Sequence, residues 1–132
     1  MEELLRDGRL GKITDAEAEV DDFEDAIKTA ELIHGEIYKE FAFIHIADNQ
    51  SDAGNSTEAL NTLIVALKYV GAFKSEGKIT SLLRIGKVQI KAGDVTGARQ
   101  SMMNALKVAA TLRIMQGFEA GVESWNEDTY KK

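Results

Sequence analysis

The sequence predicts an all-α protein built from antiparallel helix pairs, and three observations carry that expectation. The chain repeats itself at an offset of 39 residues. Within each repeat the apolar residues recur at three- and four-residue spacing, which is one face of a 3.6-residue helical period. Proline, which removes a backbone donor and clashes with the preceding helical turn, is absent from all 132 residues.

Taken in chain order, the first expected helix, Glu2 to Leu10, is weak, with Gly8 inside it and only Leu4, Leu5 and Leu10 as apolar residues. A second is expected over Asp15 to Ile33. Thr14-Asp15-Ala16-Glu17 has the form of a capping box for its start, a hydroxyl facing a carboxylate three residues on. The repeat follows. Phe43-Ile44, Ile46-Ala47, Gln50, Ala53-Gly54-Asn55 and Ala59 fall on Leu82-Leu83, Ile85-Gly86, Gln89, Ala92-Gly93-Asp94 and Ala98. Leu63, Ala66-Leu67 and Phe73 continue the match against Met102, Ala105-Leu106 and Leu112.

Each copy reads as a helix pair. Phe43, Ile46, Ala47 and Gln50 share one face of the first helix. Gly54 ends it, because glycine tolerates the left-handed conformation past a helix C-terminus. Asn55 is a good N-cap, with Glu58 three residues on. Ala59, Leu63, Ala66, Leu67 and Val70 form the inner face of the second helix. Gly93, Asp94, Ala98, Met102, Ala105, Leu106 and Ala109 repeat the arrangement. Ala47, Ala59 and Ala66, like Gly86, Ala98 and Ala105, are small where helix axes must approach within the usual 8–10 Å. At the far end Phe118, Val122 and Trp125 share a helical face and are expected to seal the last hydrophobic surface, although a lone tryptophan there would also suit a partner anchor.

These positions resemble the tetratricopeptide repeat, a 34-residue helix–turn–helix with bulky, small and aromatic residues at fixed offsets. Residues 40–73 and 79–112 fit its frame. Phe43 and Leu82 take the place of its tryptophan, and Ile46-Ala47 and Ile85-Gly86 match its leucine–glycine pair. Ala59 and Ala98, Leu63 and Met102, and Ala66 and Ala105 match its second helix. Gln50 and Gln89 stand where tyrosine is typical, Gly71 and Ala110 replace the usual proline, and Lys74 to Lys78 lengthen the link. Residues 1–39 read as a degenerate repeat, with Phe23, Ala26-Ile27 and Ala30 on the pattern's second helix, and 113–132 as a capping segment. The resemblance implies a single domain of about six to seven helices in a right-handed solenoid.

Composition narrows the function classes. A net charge of −6 argues against a primary nucleic-acid role, because binding phosphates needs a basic face, and no nucleic-acid partner is expected. Acidic residues crowd Asp15 to Glu31, whereas Lys74 to Lys107 is net basic. No cysteine is available for disulfides, thiolate catalysis or thiolate metal sites. No signal peptide and no run approaching ~18 apolar residues is present, so a cytoplasmic protein without membrane partners is expected. No Gly-rich phosphate loop, HExxH or Gly-x-Ser-x-Gly elbow points to an enzyme, and no cofactor or metal is expected.

Several polar sets carry competing readings. His34 and His45 lie too far apart in sequence for the usual three- or four-residue ligand spacing, and His45 aligns with Arg84. Asp48 to Gly54 superficially resembles a calcium loop, but its sixth and twelfth positions are Ala53 and Ala59 rather than glycine and glutamate. The stripe Arg84, Lys87 and Lys91 has two readings. It pairs with Asp48 and Asp52 of the preceding repeat, or it receives a partner's carboxylate, as first helices do in tetratricopeptide domains that the chain resembles.

The expected function is therefore an interaction adaptor or scaffold that holds a protein or peptide partner in a concave groove. Phe41, Ile44, His45, Asp48 and Asp52 would line the groove from one helix, and Leu83, Arg84, Lys87 and Lys91 from the next. The alternative is a structural module that assembles into homo-oligomers through its end repeats. A metal- or small-molecule-dependent enzyme at His34 and His45 is a distant third.

Overall fold

The computed structural model describes the backbone of residues 1–131 and the side chains of residues 1–117. It is all-helical among these residues: α1 (Glu2–Glu19), α2 (Phe23–Glu31), α3 (Glu36–Asp52), α4 (Ser56–Leu67), a short 3-10 helix (Val70–Ala72), α5 (Ser75–Lys91) and α6 (Val95–Lys131). The helices pack as three consecutive hairpins, α1 on α2, α3 on α4 and α5 on α6. Their first helices lie side by side in the order α1, α3, α5.

One local device builds all three hairpin turns. Asp21, Gly54 and Gly93 have φ of 62°, 85° and 88°. Around them Asp22, Asn55 and Asp94 donate their N–H groups to the carbonyls of Glu17, Gln50 and Gln89 at 2.9, 2.8 and 2.8 Å. Such a left-handed residue with a six-to-one bond is the Schellman motif, which satisfies carbonyls that the ending helix would leave unpaired. Glycine adopts this φ without cost at two of the turns. Aspartate is among the few other residues that tolerate it at the third.

A second device locks each hairpin. Thr29, Thr62 and Ser101 donate their hydroxyls to the side chains of Glu17, Gln50 and Gln89 at 2.6, 2.7 and 2.7 Å, always 12 residues apart. Gln50 and Gln89 are thus not stand-ins for a packing tyrosine. They are buried acceptors whose donor lies on the partner helix, and the residue that accepts through its side chain also accepts through its carbonyl at the turn.

These correspondences revise the N-terminal third. Thr14 is not a cap and Asp15 does not begin a second helix. Thr14 is buried inside α1, its hydroxyl bonded to the Leu10 carbonyl at 2.9 Å. The first helix runs through Gly8 and Gly11 to Glu19, and the second begins only at Phe23. The first unit is offset from the second by 33 residues, not 39, placing Thr14 on Ala47 and Gly86. The extra residues of the later spacing lie between α4 and α5, over 68–74, where they form the 3-10 helix; Ser75 to Lys78 already belong to α5. The expected Asn55–Glu58 capping box also fails to form, since Asn55 makes no side-chain cap. Asp94 does cap, accepting from Gly97 N–H at 2.9 Å.

The core follows the small-residue pattern. Ala18, Ala26, Ala30, Ala42, Ala47 and Ala66 surround Ile33, Phe43, Ile46, Leu63 and Ile85. Ala59, Ala98 and Ala105 are buried as well. α6 is 37 residues long, against 17 for its partner α5. It continues through 113–131 without a break. The expected seal by Phe118, Val122 and Trp125 lies outside the described side chains. No helix among the described residues is long and apolar enough to cross a membrane.

Candidate functional site: the cleft between α3 and α5

α3 and α5 lie side by side and leave a cleft of about 470 Å³ lined by Phe41, Ile44, His45, Asp48, Arg84, Lys87 and Val88. Helical spacing explains the set. Phe41, Ile44, His45 and Asp48 occupy one stripe of α3, and Arg84, Lys87 and Val88 one stripe of α5. Ile44 and Val88 are buried and form an apolar floor, while His45, Arg84 and Lys87 are exposed at the rim.

Stacking fixes one wall. The Arg84 guanidinium carbon sits 4.8 Å from the centre of the Phe41 ring. Phe73, delivered by the connection after α4, meets that ring edge-on at 5.8 Å and 74°. A cation over an aromatic face gains about 0.5–1 kcal/mol at an exposed site and loses freedom to swing away. Behind this wall Glu40 is fully buried. Its Oε1 accepts from the Ser81 hydroxyl at 2.5 Å, and its Oε2 has no partner. Burial raises the Glu40 carboxyl above the usual range, opposed by the Ser81 bond and the Arg84 charge.

At the other end of the cleft, Lys91 donates to Asp48 Oδ1 at 2.6 Å and Asp52 Oδ1 at 2.9 Å. Those two hydrogen bonds, Asp48 first, raise the Lys91 amine above its usual value. His45 Nδ1 faces Asp15 Oδ1 of α1 at 3.4 Å. Burial raises the Asp15 carboxyl, against the pull of His45.

The structure divides the basic stripe. Lys91 is committed to bridging α5 to α3 through both aspartates. Arg84 and Lys87 have no ion-pair partner among the described residues, and both line the cleft. Of the nine expected groove residues, six line the cleft: Phe41, Ile44, His45, Asp48, Arg84 and Lys87. Asp52 and Lys91 form the ion-pair bridge instead, and Leu83 does not line the cleft. Val88 is the addition; as a buried valine between Arg84 and Lys91 on the α5 stripe, it carried no signal apart from its helical register.

Other groups gather elsewhere. On a different surface a hollow of about 410 Å³ includes Lys39, Phe43, Asn61 and Tyr69, so size alone does not single out the α3–α5 cleft. Nor do unpaired cations, since Lys39 and Lys68 of that hollow also have no ion-pair partner among the described residues. The cleft is set apart by lying between the first helices of successive hairpins, with Arg84 and Lys87 over the buried Ile44 and Val88. Among the described residues, Glu17, Asp22 and Asp25 are the one set of three or more acidic or histidine side chains to converge, their ligand atoms within 4.8 Å. One Glu17 oxygen is already taken by Thr29, and Asp22 and Asp25 are exposed. Neither His34 nor His45 belongs to that set. The His34 side chain is exposed, while its main-chain N–H and that of Gly35 bond the buried Asp7 carboxylate at 3.0 and 2.8 Å.

Comparison with known proteins finds no matching family model, no matching characterised protein and no matching solved structure.

Proposed function

We propose that this chain is a tetratricopeptide-like, non-enzymatic interaction module that holds an extended segment of a partner protein in the α3–α5 cleft. The observation that carries the reading is the pairing of an apolar floor with two uncommitted cations. Ile44 and Val88 offer burial to an apolar side chain, while Arg84, held against Phe41, and Lys87 stand over it without ion-pair partners among the described residues. The chemistry suits a peptide with a carboxylate one or two residues from an apolar side chain. Three stacked hairpins whose first helices are adjacent further support the solenoid reading.

The test is a peptide array drawn from natural protein sequences, probed with the native chain and with Arg84→Ala and Lys87→Glu. Selected peptides should contain a carboxylate near an apolar residue, and each substitution should weaken binding. An exposed charge contact typically supplies up to about 1 kcal/mol, or roughly fivefold in affinity. Binding should also fall with added salt. Peptides that bind both variants as well as the native chain would remove the cleft from consideration.

A further inference from the structure

We propose that the outer face of α5 and α6 is a second docking surface, and that its occupant is an amphipathic helix whose leucine-type stripe is flanked by carboxylates.

The internal repeat supplies the argument, because the same face occurs twice. In the second hairpin the outer face of α3 and α4 is covered by α5. There Ile44 and Leu63 are 6% and 1% exposed. Their counterparts one repeat on, Leu83 and Met102, are just as apolar yet 42% and 38% exposed. Leu106 and Ile90 extend the same uncovered surface. A face that receives a helix in one hairpin therefore stands open in the next, with its apolar character kept.

Charge distinguishes the occupant. α3 presents Asp48 and Asp52 to the covering helix, which answers with Lys91. At those two positions α5 carries Lys87 and Lys91. The Lys91 amine is already held by Asp48 and Asp52, which leaves Lys87, with Arg99 and Arg113 exposed beside the α6 stripe, as the cations an occupant meets. The sign is reversed, so the covering helix should bring carboxylates where α5 brings an amine.

A second copy fits less well. In α1 the counterpart of Lys91 is Glu19, which is acidic as required, but Arg84 and Ser81 are replaced by Lys12 and Arg9. The His45–Asp15 contact between α1 and α3 shows that the position of Lys12 lies opposite that of Lys87. Stacking α1 of another copy here would therefore oppose like charges. Joining two such outer faces would set Lys87, Arg99 and Arg113 of one copy against the same three cations of the other.

The probe is a designed amphipathic helical peptide with a leucine stripe flanked by glutamates, titrated onto the full chain. Its controls carry lysine flanks or a scrambled stripe. Fluorescence anisotropy should show the glutamate peptide binding at least about tenfold tighter than the lysine peptide, the combined effect expected of several exposed ion pairs. Amide NMR shifts should centre on Leu83, Ile90 and Met102. The exposed changes Leu106→Glu and, separately, Arg99→Glu with Arg113→Glu should each weaken binding, whereas Phe41→Ala in the cleft should not. Equal binding of the two flank variants, shifts centred on Phe41 and Ile44, or no binding at millimolar peptide would overturn the proposal. So would sedimentation showing a self-associated chain that Leu106→Glu converts to monomer, because the occupant would then be a second copy.

Discussion

At the scale of single residues, two buried carboxyl groups pull the pH dependence of stability in opposite directions. The main-chain N–H of His34, with that of Gly35, holds the Asp7 carboxyl below the usual range even though burial opposes it. A folded-state pKa below the unfolded one means stability that is present above the unfolded value, near 3.9, and lost as pH falls through the folded value. Asp7→Ala should therefore cost about 2 kcal/mol at pH 7, the scale of hydrogen bonds to a charged group. Urea unfolding should show this deficit shrinking on acidification. Glu40 behaves oppositely. Its folded-state pKa is raised by burial, so its contribution is most favourable below the unfolded pKa and is lost as pH rises through the folded one. Relative to Glu40→Gln, the native chain should gain stability as pH falls from neutrality toward about 4.3, the ordinary glutamate pKa. A pH-independent difference between the two proteins would exclude ionisation of Glu40 as the cause.

At the scale of the helices, close packing rests on small residues, and one position retains room. A Cβ added at Gly86 would meet Met102 Cε at 3.6 Å and the Ala98 carbonyl at 3.7 Å, ordinary contact distances. The matching residues in the other hairpins are Thr14 and Ala47, which already carry a Cβ. Gly86→Ala should therefore stabilise by roughly 0.5–1 kcal/mol, the helix-interior cost of glycine, whereas Gly86→Leu should disrupt the α5–α6 packing. Thermal unfolding distinguishes the two outcomes. The same register explains what was legible in the sequence. The second and third hairpins share an unbroken 39-residue offset with glycine at both turns, so their helices were readable. The first hairpin lies 33 residues from the second and turns on Asp21, a residue whose left-handed φ carries no such clear signal as glycine. Thr14 and Glu17 have the spacing of a capping box but lie inside α1, so the pattern signals a helix start where none exists. In the cleft, the α3 residues and Arg84 and Lys87 were legible from spacing. Lys91 was separated from them only by geometry, because one amine reaching two aspartates is not visible in a repeat alignment that pairs residues one to one.

At the scale of the whole molecule, two surfaces of the hairpins set cations beside apolar side chains. The cleft carries uncommitted cations over an apolar floor, and the outer α5–α6 face carries apolar side chains beside cations. Acting as proposed, both surfaces would favour acidic partners even though the chain is net negative at −6, because its acidic residues crowd the first third. Association at either surface should therefore slow and weaken as salt is raised, the Debye length falling from about 10 Å at 0.1 M to about 3 Å at 1 M. Stopped-flow association with a bound peptide measures this directly. A rate constant indifferent to salt would indicate that apolar contact alone selects the ligand.

The order of packing also has a consequence in time. Among the described residues the α3–α4 hairpin has a hairpin on either side, while the α1–α2 and α5–α6 hairpins are each covered on one side. In an array of this kind each unit is held by its neighbours, so opening spreads inward from the ends and need not involve the whole chain at once. Amide hydrogen exchange should be slowest along α3 and α4 and faster in α1 and α2. Equal protection of α1 and α3 would show instead that the three hairpins open as one. A graded profile would leave the cleft bordered by the slowest-opening helix while the ends of the array continue to breathe.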